Sequence, residues 1–286
     1  MQALRAGREL LLGRNPEVDP PERHGVVYRL EENGDVAVLS GQVPARDNRV
    51  VLAVEGLWRS MADYRQQWQT VLHDEKGRWG NVRQPIVGVH EGNHERRGRD
   101  VLRLVQDLSF MKLLQWQPRR VWRVEAAYRR DPSVRKVHDI VLDAVRQGQQ
   151  VLLVTHSAGG AQAALALTIL AAEGHRVAVT QHVRVLALAN AVSAQSYFKA
   201  GVAKENLFYT ADKRDPVGSM AKMLTVDWGR PWASVREAGK HMRHALQTIG
   251  GEWHHDLVRV FYAHREQGST PAIQRFIDGG PGKIAF

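Results

Sequence analysis

The sequence predicts a single α/β domain: a mostly parallel sheet with helices on both faces and a β-hairpin at its start. Three observations lead there. The apolar runs "RVVLAV", "PIVGV" and "VLLVT" are too continuous for half-exposed strands and read as strands covered on both sides. Between them lie stretches with helical period, so strand and helix alternate as in βαβ units. The composition, 43% hydrophobic and 24% charged over 286 residues, is that of a chain able to bury a sizeable core.

Taken in order, residues 1–23 read as an N-terminal extension and residues 24–286 as the domain. From His24 to Val43, "GVVYRL" and "DVAVLSG" flank "EENG", a hairpin signal. Arg49 to Val54 forms the first buried strand and stops at Glu55 and Gly56. A helix follows, because Ser60 and Asp63 have capping-box spacing and Met61, Tyr64, Trp68, Val71 and Leu72 share one face. "PIVGVH" from Pro85 is a second strand, and "DVLRLVQDLSFMKLL" from Asp100 a second amphipathic helix. Trp116 to Arg130 shows no clear period. Asp131 as N-cap with Pro132 at the first helical position opens a helix whose stripe is Val134, Val137, Ile140, Val141, Ala144 and Val145, closing before Gly148. "VLLVTH" is then a strand, "AGGAQAALALTILAAEG" a helix ended by Gly174, and "VRVLALAN" and "NLFYTA" two more strands. No internal repeat or linker divides the chain.

Several classes are excluded. Without Cys there is no disulfide framework, zinc ribbon, iron–sulfur cluster or thiol nucleophile. The formal charge of +10, from 40 Lys and Arg against 30 Asp and Glu, makes the surface attractive to anions without saying which. No run approaches a membrane span, and the first 25 residues lack a secretory h-region, so the expected location is cytoplasmic, or exported without a Sec signal.

Chemistry concentrates in "VLLVTHSAGGAQAAL", where a buried strand runs into Ser157 and out into a helix of small residues. A serine on such a turn projects its Oγ above the sheet, and Ala158, Gly159 and Gly160 let the helix pack close. The N–H of Ala158 then lies at a helix N-terminus, where a developing oxyanion is stabilised. The bland alternative is a serine that merely caps the helix.

Here the sequence resembles the α/β-hydrolase superfamily, and within it the lipase-like and esterase-like serine hydrolases. The hairpin, "VVLAVEGLWRSMADY" as strand and oxyanion loop, and the elbow occur in the family's order. Two positions depart from its pattern: Thr155 replaces the first elbow glycine, and Glu55 stands where His commonly precedes Gly56. The resemblance implies a triad in the order Ser, acid, His. The acid is Asp215 in "LFYTADKRDPVG", with Asp212 as alternate, and the base is His254 in "GGEWHHDLVRVFY", with His255 as alternate. Asp before Pro is also an ordinary turn former. His241 and His244 read as surface residues of a preceding helix. Ala158 and the loop residues Leu57 and Gly56 are the expected oxyanion hole, with Gly92 as a further option. His156 and His90 are expected beside the substrate, and residues 216–250, with Met220, Met223, Trp228 and Trp232, as a lid or acyl-pocket segment or as plain core. The implied reaction is ester hydrolysis through an acyl-enzyme, on a lipid or other hydrophobic ester, with no cofactor.

A rival motif is His90-Glu91-x-x-His94, the H-E-x-x-H of zinc hydrolases. Its context is wrong, because "PIVGV" before it is strand-like and Gly92 interrupts the helix that two ligands at i and i+4 require. No metal is therefore assigned. The stretch "FMKLLQWQPRRVWRVEAAYRR" interleaves Trp116, Trp122 and Tyr128 with Arg119, Arg120, Arg123, Arg129 and Arg130. That mix suits an anionic membrane surface ahead of nucleic acid, for which nothing specific is present, and equally suits a solvated basic helix. A hydrolase-fold module that binds through this face without catalysis is the remaining class. The oligomeric state is not legible.

Overall fold

The computed structural model describes residues 24–31, 33–39, 43, 45–56, 61–72, 82, 84–92, 94–95, 97–117, 121–210 and 270–285, with Arg14. The elements, in chain order, are β1 (Val26–Leu30), β2 (Val36–Val38), β3 (Arg49–Val54), α1 (Met61–Leu72), β4 (Ile86–His90), α2 (Arg97–Trp116), α3 (Val121–Arg130) and α4 (Pro132–Arg146). Then come β5 (Gln150–His156), α5 (Gly159–Leu170), a π-helical turn (Ala171–His175), α6 (Arg176–His182), β6 (Val183–Leu188), α7 (Ala194–Lys199), β7 (Leu207–Thr210), α8 (Thr270–Ile277) and β8 (Ile284–Ala285).

One eight-stranded sheet runs in the order β2-β1-β4-β3-β5-β6-β7-β8. From β4 to β8 every neighbouring pair is parallel, and β1 is antiparallel to both β2 and β4. The predicted mixed α/β architecture is therefore present, with the hairpin's first strand against β4 and its short second strand at the edge. Alternation along the strands splits the core in two. Val50, Leu52 and Val54 face a cluster with α2 through α7, whereas Val51 and Ala53 face Tyr64, Trp68 and Leu72 of α1 and Ile273 and Phe276 of α8. Because both faces are covered, the parallel strands read as unbroken apolar runs.

Several elements form as the residues dictate. The Asp131 carboxylate caps α4 by accepting from the N–H groups of Ser133 and Val134, with Pro132 at the first helical position. In α5 all twelve residues are buried, so the small-residue helix is the core of the larger cluster. The helical stretch Gly159–His182, kinked at Gly174, is by length and composition apolar enough to cross a membrane, and half of its most apolar window is buried within the fold.

Differences from the sequence reading have local causes. The second long helix starts at Arg97 rather than Asp100, and the ambiguous stretch resolves into α3. Gly174 does break the long helix, at φ +96°, but the chain resumes at once as α6. The helix α7, which the period did not single out, is six residues long, too short to show a repeat.

A buried ionic network locks the end of β4 to α2 and α4. Arg103 of α2 donates through Nε and Nη2 to the Asp131 carboxylate and through Nη1 to the Glu91 carbonyl at 3.2 Å. Burial would raise the Asp131 carboxyl, but Arg103 and the capped N–H groups together hold it below its ordinary value. Burial pushes Glu91 well above the usual range despite Arg103 at 3.7 Å. Asp107, with Arg130 at 3.4 Å, is raised by burial and by the Asp131 charge to about 8. Neither Asp107 oxygen accepts a hydrogen bond from a described residue.

The sign for Asp107 is clear. The folded chain holds this proton more tightly than the unfolded chain, so stability falls as pH rises from the unfolded carboxylate range near pH 4 through about pH 8. Asp107→Asn is expected to flatten that decline. Thermal unfolding followed between about pH 5 and pH 9 checks it, and parallel profiles for both proteins would refute the assignment.

Candidate active site

The C-terminal ends of β3, β4 and β5 meet on one rim of the sheet, and Ser157 is the first residue beyond β5. Its φ is +56°, the left-handed region that a residue with a Cβ enters only at a cost of about 1–3 kcal/mol. Neighbouring structure enforces it. The Ser157 carbonyl accepts from Ala191 N–H at 2.8 Å and Gly160 N–H at 3.2 Å, while its own N–H donates to the Leu188 carbonyl at 3.4 Å. A serine that only caps a helix has extended backbone angles and needs no such turn. Ser157 is 7% exposed, so its surroundings are largely dry.

The small residues after Ser157 follow from close approach. A Cβ on Gly159 would overlap the carbonyl oxygens of Val54 and Glu55, and one on Gly160 would overlap the Asn190 side chain. The helix thus packs its backbone directly on the end of β3. Thr155, in place of an elbow glycine, points to the other side of the turn. Its Oγ1 lies 2.7 Å from the Asn190 amide and 3.1 Å from the Tyr197 hydroxyl, which in turn donates to the Gly160 carbonyl at 3.2 Å. This cluster ties the strand before the serine to the helix after it. Burial holds the Tyr197 phenol well above its ordinary value, so it remains a donor.

Glu55, the other departure, is fully buried at the end of β3. Its carboxylate accepts from the Tyr28 hydroxyl and lies 2.5 Å from His90 Nδ1. Tyr28 reaches it by crossing β4 over Gly88, where any Cβ would overlap the tyrosine ring. Burial, then the Glu55 charge, push the Tyr28 phenol well above its ordinary value, so it keeps its proton. His90 is 1% exposed, and what its ring meets is this carboxylate rather than open solvent.

Of the residues expected at the oxyanion hole, Gly56 is described, and its N–H donates to the Tyr64 hydroxyl at 2.9 Å. A Cβ on Gly56 would lie 2.5 Å from Ser157 Cβ, 3.0 Å from its Oγ and 2.8 Å from the Tyr64 oxygen, so this glycine, the phenol and the serine touch. Ala158 occupies the N-cap of α5, with helical φ −62°. His156 is 2% exposed and packs edge-on against Tyr64, ring centroids 6.3 Å apart.

No family model, curated protein or solved structure matches this chain.

The zinc motif does not assemble. Gly92, at φ +77°, lies between its two histidines, and they point into separate contacts: His90 to Glu55, and His94 Nδ1 to Asp100 at 2.7 Å. Among the described residues no group of three or more His, Asp or Glu is placed to hold a metal ion. Leu57, Asp212, Asp215, His241, His244, His254 and His255 lie outside the described residues, as do residues 216–250. The chain leaves β7 after Thr210, whose carbonyl accepts from the Ala189 N–H beside the serine turn.

Sequence reasoning missed Tyr64, taken as one member of an apolar stripe, and the Tyr28–Glu55–His90 set. The available signal was a polar residue ending each of two otherwise apolar strands.

Proposed function

We propose that this chain is a carboxylic ester hydrolase that works by acyl transfer to Ser157, on a lipid or another hydrophobic ester. The observation that carries the reading is the left-handed turn at Ser157 between a buried parallel strand and a buried helix, a conformation costly for serine and needed to project its Oγ. The strand order from β4 to β8 and the rim position support the α/β-hydrolase resemblance.

In the proposed reaction, Ser157 Oγ bonds to the ester carbonyl carbon as its proton passes to an imidazole, His254 or His255, oriented by Asp215 or Asp212. The tetrahedral oxyanion rests on the Ala158 N–H. The carbon–oxygen bond of the ester then breaks, and the alcohol leaves with that proton. Water, deprotonated by the same imidazole, releases the acid and restores the serine. The exposed rings of Trp116 and Trp122, with Arg123 5.1 Å from the Trp122 centroid, support an anionic lipid surface as the place where such substrates are met.

The test is intact-mass labelling with a fluorophosphonate. Wild type is expected to gain one adduct, Ser157→Ala none, and a chelator to change neither. An unlabelled wild type, or an adduct that persists in Ser157→Ala, would sink the proposal.

A further inference from the structure

We infer that the exposed face of α2, continued by Trp122 at the start of α3, is an interfacial docking face with which the chain lies against an anionic phospholipid bilayer. The inference deepens the lipid-ester reading, on which it rests for its choice of lipid, by naming the face that meets the bilayer.

Helical geometry sets that face. At about 100° per residue, Leu102, Leu113 and Trp116 fall within about 60° of one another on α2. Arg99, Gln106 and Ser109 share their row at spacings of three and four, and all six residues are exposed. The buried residues Arg103, Asp107, Met111 and Leu114 lie on the opposite side, toward the core. From Leu102 to Trp116 the row is about 21 Å long, and Trp122 follows within about 20 Å of chain.

Two properties of the row name its partner. Single exposed apolar side chains are ordinary, but of the six large ones exposed among the described residues, four are Leu102, Leu113, Trp116 and Trp122. Charge is the second property. Residues 97–130 hold nine Lys and Arg against three Asp and Glu, more than half of the chain's net charge of +10. Those carboxylates do little to offset it at the surface: Asp100 and Asp107 are buried, and Glu125 is ion-paired with Arg129. Leucine and tryptophan set among cations suit a helix lying in the headgroup layer, with its apolar groups at the acyl boundary and its cations on lipid phosphates. A nucleic acid would use the rings and the cations, but Leu102 and Leu113 offer no face on which a base could stack. A second copy of the chain would bring the same cations face to face.

The experiment floats the full chain with vesicles of phosphatidylcholine alone, or of phosphatidylcholine and phosphatidylglycerol at three to one. Wild type is expected to float with the anionic vesicles and to be released as salt rises. Arg99→Gln should weaken binding about fivefold, and Leu102→Ser combined with Leu113→Ser at least about tenfold. Thermal midpoints should stay near wild type, because these side chains are exposed. Brominated lipid in the anionic vesicles should quench tryptophan fluorescence, and Trp116→Phe combined with Trp122→Phe should remove that quenching. Equal binding to both vesicle types overturns the inference, as does a double leucine variant that binds like wild type. Should that variant fail to fold, wild-type fluorescence indifferent to brominated lipid overturns it instead. A chain that binds a single-stranded oligonucleotide but not anionic vesicles, or a dimer in light scattering that the leucine changes abolish, also overturns it. The two readings fail separately: vesicle binding without a Ser157 adduct refutes the hydrolase, and an adduct without vesicle binding refutes the docking face.

Discussion

Arg103→Met is expected to destabilise the folded chain by about 3–5 kcal/mol, the cost of leaving the buried Asp131 carboxylate without its counter-charge. The Arg103 side chain is 10% exposed and reaches Asp131, the Glu91 carbonyl, the Glu91 carboxylate and, at 3.4 Å, Ser133 Oγ. Removing it strands the Asp131 charge, takes a donor from the Glu91 carbonyl and loosens the end of β4 that carries His90. Methionine retains much of the stem, so lost packing is not the main effect. Urea unfolding at neutral pH measures the change as a shift in midpoint. Adding Asp131→Asn should recover part of the loss, because the double variant no longer buries that charge. A loss below about 1 kcal/mol, typical of exposed pairs, would show that water reaches this network.

Gly159→Ala is expected to cost about 1–3 kcal/mol and to lower ester turnover by at least about 100-fold. The added methyl has nowhere to go, since the atoms it overlaps are the backbone oxygens of Val54 and Glu55 rather than a side chain that can swing away. Either α5 or the end of β3 must shift, and both hold Ser157, the proposed nucleophile. An apolar core usually absorbs a methyl by repacking, but two backbones in contact cannot. Steady-state kinetics beside a thermal unfolding curve separate the two effects. An active, stable Gly159→Ala would mean that the helix and strand are not in contact during turnover.

Much of this architecture is written locally. Asp131-Pro132 opens α4 and Gly148, at φ +69°, follows its end, because caps depend on a few adjacent residues. The buried strands announce themselves by composition, and the elbow by its small residues. What escaped depends on partners far along the chain. Thr155 reads as a blemish in the motif until Asn190 and Tyr197, 35 and 42 residues later, come to meet it. Glu55 likewise looks misplaced without Tyr28 and His90. The H-E-x-x-H spelling drew attention to His90 for chemistry its backbone forbids. Tyr64 sits on the predicted apolar face, and periodicity cannot show that the hydroxyl at its tip serves a glycine eight residues earlier.

The tyrosine that crosses Gly88 also sets the order in which the site can mature. Val26 through Leu30 leaves the ribosome before every other described strand, yet its partners are Ile86 through His90, and the carboxylate it restrains lies on a third strand between them in sequence. Until that pairing closes, Glu55 lacks the Tyr28 hydroxyl that helps to keep its carboxylate buried. Pairing of β1 with β4 and the hydrogen bond from Tyr28 to Glu55 therefore form together, across three strands of one rim.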